Sequence, residues 1–516
     1  MGGIAGIIDR LQAERTVSLK EQLFHMLQAI THRGDEQAAG EMHICPTAAL
    51  GCNRLLVTDG DKVPQPVTDE GERLAAVLDG RIFNYSALRQ SLEGCGYVFR
   101  TEAEAELLLY GYREWGEDLP QRLEGMFAFL IYDREQHTFL AARDHIGIKP
   151  LYYVYDGACY FISSELKSLL PLKKNITTLS PGHYLTDHGV QQYFHLSASK
   201  VSEDVEVVKV SLREALTHAI ERQLPSDQPF GVLFSGGIDS AIILHVARAK
   251  NREVVAFSTG FAGAADVEIA RQYCREHNIT HFVSQLTLEE MVQDLPQTVY
   301  YCEVFEPINI MDSCTVMPTF RLARAQGIKV VLCGDGSDEL LAGYDLFQTY
   351  PDPQYLMDYR LNNEHRTDLQ RIDRCSARYG IEARVPFFDK AFMEFAYSIP
   401  FDMKLRNTVH KWILREAFRD ILPDYIVHRP KVRMPDGSGL QYQLLDFASK
   451  QQTNVDPSIL AQLFMSPTDG AYFLEHYLKH GFPVPVDRYK KAGLDFSPHG
   501  YFDFITAVRQ EHASEL

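Results

Sequence analysis

Short apolar segments rich in aromatic and β-branched residues recur through the first 195 positions, and each predicts a strand. They cover 75–78, 126–132, 138–142, Tyr152–Tyr155 and 160–163, with Gly, Asp and Asn punctuating them. The opening run MGGIAGIIDR has the small and apolar character of one more buried strand. Few long helical patterns intervene, so the prediction is layered antiparallel sheets carrying a helix or two. A polar stretch, SASKVSEDVE at 197–206, reads as a linker. Beyond it the period changes. Helix-like 210–222 precedes a strand at 231–234, a glycine turn, an amphipathic stretch at 240–250 and a strand at 254–258. A helix at 317–325 and a strand at 329–332 follow. Strands alternating with helices predict a parallel sheet covered on both faces. From about residue 360 the pattern is mainly helical, and the tail Gln510–Leu516 is expected to fray. The predicted domains are 1–195, a linker at 196–206 and 207–516. The fold class is therefore α+β followed by α/β.

Composition narrows the classes. A chain of 516 residues calls for two or three domains. A net charge of −18 excludes a general nucleic-acid binder, which needs a basic face to neutralise phosphates. The nine cysteines contain no CxxC pair and leave one over, which fits reduced thiols and not a disulfide or zinc framework. No run reaches the roughly 18 apolar residues that span a bilayer, and the N-terminus lacks a basic n-region. A cytoplasmic protein with no membrane partner is expected.

The chemistry concentrates in two turns. Phe234-Ser235-Gly236-Gly237-Ile238-Asp239-Ser240 lies between a predicted strand and a helix, where backbone N–H groups and the helix dipole favour an anion. Hydroxyls at Ser235 and Ser240 can donate to phosphate oxygens. Asp239 would repel a phosphate unless a cation bridged them, which implies Mg²⁺. No Gly-Lys-Ser/Thr follows, so the turn is not a Walker loop. A second turn, Gly334-Asp335-Gly336-Ser337-Asp338-Glu339, also follows a strand and brings three acids to what should be the same sheet edge. Ligands of open parallel sheets bind beyond the carboxyl ends of the strands, so Asp239 and Asp338 are candidates to share the magnesium of a nucleotide triphosphate.

The loop SGGIDS is similar to the pyrophosphate loop of ATP pyrophosphatases. With GDGSDELLAGY (334–344), YGIEARVPFFD (379–389) and HKWILREAF (410–418), the chain resembles glutamine-dependent asparagine synthetases. THRGDEQ (31–37), DGRIFNYSALR (79–89), LEGMFAFLIYD (123–133) and ARDHIGIKPLYY (142–153) resemble that family's N-terminal glutaminase domain. The resemblance implies an Ntn-hydrolase-like first domain and an ATP-pyrophosphatase-like second one. It implies ATP and Mg²⁺, with Ser235, Gly236, Gly237, Asp239 and Ser240 on the phosphates and Leu233, Thr259 and Gly334 around the adenosine. Asp239 and Asp338 would hold the metal. The substrate carboxylate would be adenylated with release of pyrophosphate, and an amine would then displace AMP. Lys431 matches a lysine that stabilises charge on that intermediate. Lys411 and Arg415 remain open between phosphate and solvent, and Glu382 with Arg384 reads as a structural ion pair.

Departures from the family are as informative. Its residue 2 is a cysteine whose thiolate attacks glutamine, and here Gly2 has no nucleophile. The family's Asn-Gly-Glu becomes Asp79-Gly80-Arg81. An aspartate there would repel an oxyanion, and Arg81 would repel the glutamine amine. Glu104 stands near a family aspartate, and Arg54 alone survives among the glutamine contacts. These losses around one ligand imply an inactive glutaminase domain. In the second domain, Met311 stands where asparagine synthetases grip aspartate with an arginine, and Asp335 replaces a glutamate. Met311, Asp335 and Gly336 are therefore placed against a substrate less charged or bulkier than aspartate.

β-Lactam synthetases are the parallel: they share both domains, lack the cysteine and close an amine onto the activated carboxylate of the same molecule. Their Tyr–Glu dyad is missing, since Asp335 and Gln370 stand there, which leaves Asp335 or Asp368 as the candidate base. The expected partner is a small amino-acid-like carboxylate, in an antibiotic or other specialised pathway, and a homodimer is left open. An ammonia-dependent asparagine synthetase, an intermolecular or macrolactam ligase, and a silent scaffold remain as alternatives.

Overall fold

Three sheets organise the protein in a computed structural model that describes residues 2–11, 16–226, 228–250, 253–440, 442–463 and 469–484. The expectation for the tail at 510–516 lies outside the described residues. The first sheet orders Thr177–Thr178, Tyr152–Tyr155, Cys159–Ser163, Gly2–Asp9, Ala48–Arg54 and Glu41–Cys45. The second orders Gly189–Gln192, His183–Thr186, Thr138–Arg143, Gly125–Asp133, Leu74–Ile82 and Val67–Thr68. Every described pairing in both is antiparallel.

The strand Gly2–Asp9 is buried along its whole length because it lies between layers. Ile4 and Ile8 meet Val77, Leu130 and Phe139 of the second sheet. Ala5 and Ile7, on the opposite pleat, share a core with Leu23 and Leu27 of the helix Thr16–Ala29. The helix Glu104–Trp115 covers the other face of the second sheet through Leu107 and Leu108. The result is four layers, helix, sheet, sheet and helix.

The third sheet is wholly parallel, in the order Thr280–Gln285, Val254–Gly260, Phe230–Leu233, Val330–Leu332 and Glu382–Arg384. The helix preceding it starts earlier than its apolar period suggests, because Asp204 accepts from the N–H groups of Glu206 and Val207 and caps Val205–Glu221. The helix Pro307–Ala325 likewise begins ten residues before the stretch read from the sequence, with proline at its first turn. Glu382–Arg384 is a strand that periodicity could not find, being three residues long and one of them apolar. No described helix is long and apolar enough to cross a membrane, and all nine cysteines are free.

Candidate active site

Parallel pairing of Phe230–Leu233 with Val330–Leu332 carries both chemical turns to one sheet edge. Residues 234–237 follow the first strand and lead into the helix Ile238–Ala249. Residues 333–336 follow the second and open the short helix Ser337–Leu340. The turns lie against each other: a Cβ on Gly334 would stand 3.0 Å from the Asp239 Cβ, so a side chain there would push the two turns apart by a few tenths of an ångström. A cavity of about 270 Å³ opens over this edge. Leu233, Ser235, Asp239, Ser240, Thr259, Gly334, Asp335, Asp338, Asp368 and Lys431 all contribute to its wall. Gly236, Gly237 and Gly336 shape the turns without forming the wall.

Met311 is a correction. It is 0% exposed and packed in the core, while the same turn of helix presents Ile308, Asn309 and Asp312 to the cavity. Neighbouring positions on a helix point about 100° apart, and tertiary packing set the phase so that Asp312 and not Met311 faces the cavity. Met311 is not part of the cavity wall. Gln370 is also turned away, its Nε2 donating to the carbonyl of Cys302 at 2.8 Å.

The two carboxylates read as metal ligands converge on a single cation. Lys411 Nζ lies 2.7 Å from Asp239 Oδ2 and 2.7 Å from Asp338 Oδ1. Lys431 Nζ lies 2.6 Å from Asp338 Oδ2, and Ser337 Oγ donates to Asp239 Oδ1 at 2.6 Å. Beside these ammonium groups the Asp338 carboxyl is held well below the usual carboxylate range, against its burial. Lys411 adopts a left-handed backbone, φ +54°, at the start of the helix Trp412–Ala417. Such conformations cost about 1 to 3 kcal/mol and collect at functional sites. Arg415 donates instead to the carbonyls of His410 and Val427. Two hard oxygen donors already sharing one cation suit Mg²⁺ carried by a polyphosphate, so the residues present fit that ion.

Asp335 faces Arg371 at 2.8 Å. Burial pushes its carboxyl up to about 6 in spite of that partner. Arg371 also pairs with Asp368 and lies 3.4 Å from Asp312. Sequence reading missed Asp312, Arg360, Glu364 and Arg371. Asp312 lies in a largely apolar helix and the other three in polar helical stretches, with no glycine or strand boundary to mark them, and only the Asp368–Arg371 spacing of three gave a signal.

A model of asparagine synthase matches residues 211–357 and 349–479, and one of the glutamine amidotransferase domain matches 1–221. Asparagine synthetase B [glutamine-hydrolyzing] of Escherichia coli is 31% identical over 500 residues, spanning 91% of this chain and 89% of that protein. Asparagine synthetase [glutamine-hydrolyzing] 2 of Arabidopsis thaliana is 30% identical over 518 residues, spanning 94% and 88%. The chain belongs to the asparagine synthetase family. As a member of that family it is an ATP-dependent carbon–nitrogen ligase of the asparagine synthetase type. A solved glutamine phosphoribosylpyrophosphate amidotransferase of B. subtilis covers 55% of this chain and 65% of its own at 17% identity, but its TM-score of 0.29 gives it no weight.

In the N-terminal domain of this asparagine synthetase relative the buried side chains around Gly2 pair with one another. Gly2 has φ +154°, and a Cβ built on it would stand 1.7 Å from the Asn53 carbonyl oxygen. Its N–H donates to Asp79 Oδ1 at 3.2 Å, and Arg33 donates to its carbonyl at 2.9 Å. Arg33 also bonds Asp79 Oδ2 at 3.0 Å, and reaches Glu165 and Asp373 at 2.8 Å each. Arg81, beside Gly80, spans Asp61, Glu104 at 3.6 Å and Glu382 of the parallel sheet at 3.0 Å. Arg54 is held by both oxygens of Glu41, at 2.5 and 2.6 Å. Glu382 also pairs with Arg384.

Proposed function

We propose that this ligase adenylates a substrate carboxylate with ATP and takes its amine from a source other than glutamine. The observation that carries the reading is Gly2, whose backbone leaves no room for any side chain. Arg33 and Arg81 reinforce it, being held in buried ion pairs around Gly2. The first domain is thus a retained Ntn-hydrolase-like scaffold, and the second an ATP-pyrophosphatase-like synthetase. In that second domain Ser235, Ser240 and the glycine turn would receive the phosphates, and Leu233, Thr259 and Gly334 the adenosine. Mg²⁺ on Asp239 and Asp338 would offset phosphate charge. Lys431 stands where negative charge develops as the carboxylate is activated. Asp335, with its raised pKa, is suited to accept a proton from the incoming amine near neutral pH. Attack from within the same molecule needs no ammonia channel and gains effective molarity, so ring closure of the β-lactam synthetase kind is the preferred form.

Pyrophosphate release with ATP and a panel of amino acids, with and without glutamine or ammonia, tests this. Turnover without any added nitrogen source, with a product lighter than the substrate by one water, is the expected result. Stimulation by glutamine refutes the inactive glutaminase. Activity that requires free ammonia refutes the intramolecular step.

A further inference from the structure

The helix Asp368–Ala377 meets the cavity on one side and the first domain on the other. Asp368, Arg371 and Ile372 stand in the cavity wall, and Arg371 brings its guanidinium 2.8 Å from Asp335. Asp373 comes two positions later, about 200° around the helix. There Arg33 of the first domain grips it with both terminal nitrogens, at 2.8 and 3.0 Å. Lys149, also of the first domain, adds a third bond at 3.0 Å. The next residue, Arg374, donates to the Ser164 carbonyl at 3.3 Å and lies 3.7 Å from Glu165. Arg33, Lys149, Asp373 and Arg374 are each at most 4% exposed. Against its burial, the charges of Arg33 and Lys149 hold the Asp373 carboxyl far below the usual carboxylate range. Arg33 is itself fixed from behind, by the Gly2 carbonyl, Asp79 and Glu165. One guanidinium thus ties the strand Gly2–Asp9 to the helix that carries Arg371.

We propose that Arg33 is a positioning residue for the ligase reaction: through Asp373 it fixes the helix that sets Arg371 against Asp335. The proposal rests on the ligase reading, and it gives a first domain without glutaminase chemistry a part in catalysis. A guanidinium bonded through two nitrogens to one carboxylate fixes direction as well as distance. The helix is therefore held in rotation as well as in place, and its rotation decides where Arg371 stands. Misplacing a group at a reacting centre by about 1 Å can cost about 10²-fold in rate. Arg371, Asp368 and Glu339 are the charges that act on the Asp335 carboxyl, and Arg371 is the one that opposes the upward push of burial. Another ion pair between the domains, Arg222 with Glu124 at 2.7 Å, bonds neither to this helix nor in the cavity wall and supplies a control.

Arg33→Met in the full-length protein, beside Arg33→Lys and Arg222→Ala, tests this. The rate is pyrophosphate release with ATP and the amino acid of the panel that turns over fastest, followed across pH. Arg33→Met should lower kcat about tenfold or more while the KM for ATP stays within about twofold, because the phosphate turns lie on other elements. With Arg371 displaced, Asp335 loses the cation that lowers it, so the acidic limb near pH 6 should move upward by about one unit. Arg33→Lys keeps the charge and should recover part of both effects. Arg222→Ala should leave kcat and the limb in place. Hydrogen exchange at 368–377 should speed up about tenfold or more in Arg33→Met, and that at 238–249 should not. Asp373→Asn keeps the side-chain shape and should give the same signature, which serves if Arg33→Met fails to fold by its thermal melt. A lower melt with an unmoved kcat and limb makes Arg33 a residue of stability alone and overturns the proposal. An equal shift in Arg222→Ala also overturns it, because any loosening between the domains then suffices. A wild type that releases no pyrophosphate with any carboxylate overturns the ligase reading; unchanged exchange at 368–377 in Arg33→Met overturns the link from Arg33 to the helix separately.

Discussion

Replacing Gly2 with cysteine should fail to create a glutaminase and should weaken the N-terminal layers. A Cβ at this position would overlap the Asn53 carbonyl oxygen at 1.7 Å. That oxygen belongs to the neighbouring strand Ala48–Arg54, whose Arg54 pairs with Gly2 itself. The clash is with backbone, so no rotamer relieves it and the first residue of the strand must leave the sheet. Two hydrogen bonds with charged partners are then lost, Gly2 N–H to Asp79 and Arg33 to the Gly2 carbonyl. At about 1.5 to 3 kcal/mol for each bond to a charged group, with partial re-solvation at a strand end, the expected loss is about 3 to 5 kcal/mol. For a unit of this size roughly 2 to 4 °C accompanies each kcal/mol, so its transition should fall by about 10 °C. Calorimetry of Gly2→Cys and Gly2→Ala, with glutamate release from glutamine measured alongside, reads both parts. The two variants should behave alike, because any Cβ meets the same oxygen. A Gly2→Cys protein that melts with the wild type and hydrolyses glutamine would refute the steric argument and the inactive glutaminase together.

The acidity of Asp335 gives a pH signature. Its carboxyl is pushed up to about 6 by burial, so it is protonated below that value and able to accept a proton above it. Amide formation should therefore rise with pH through about 6, and Asp335→Asn should lose that limb along with about 10² to 10⁴ in rate; an unchanged limb in the variant removes Asp335 from proton transfer. Arg81→Ala should destabilise the protein by about 3 to 5 kcal/mol, since it removes the cation that pairs with buried Asp61 and leaves Glu382 with Arg384 alone. Arg81→Lys should recover only part of this, because one ammonium cannot reproduce the bonds of the fork; a denaturant midpoint unmoved by Arg81→Ala refutes it.

Most of the strands and both chemical turns were legible because they are local. A glycine turn after an apolar run carries its own backbone logic, whether or not the rest of the chain is known. Parallel pairing then followed from alternation of strand and helix, and with it the meeting of Asp239 and Asp338 at one edge. Residues 308–312 and 360–371 were different. Their side chains lie on helices, where one position of rotation exchanges core for cavity, and only packing against the sheet decided that Met311 points inward and Asp312 outward. The sign of a buried charge was no more readable. Asp79 and Arg81 looked like damage to a glutamine site, whereas the fold supplies Arg33 to the first and Asp61 with Glu382 to the second, the latter 301 positions away. The absence of a thiol at Gly2 was plain from the first line of sequence. That a side chain has no space there was decided by the Asn53 carbonyl, which sequence separates from it by some fifty residues and which comes beside it because the antiparallel register pairs Gly2 with Arg54.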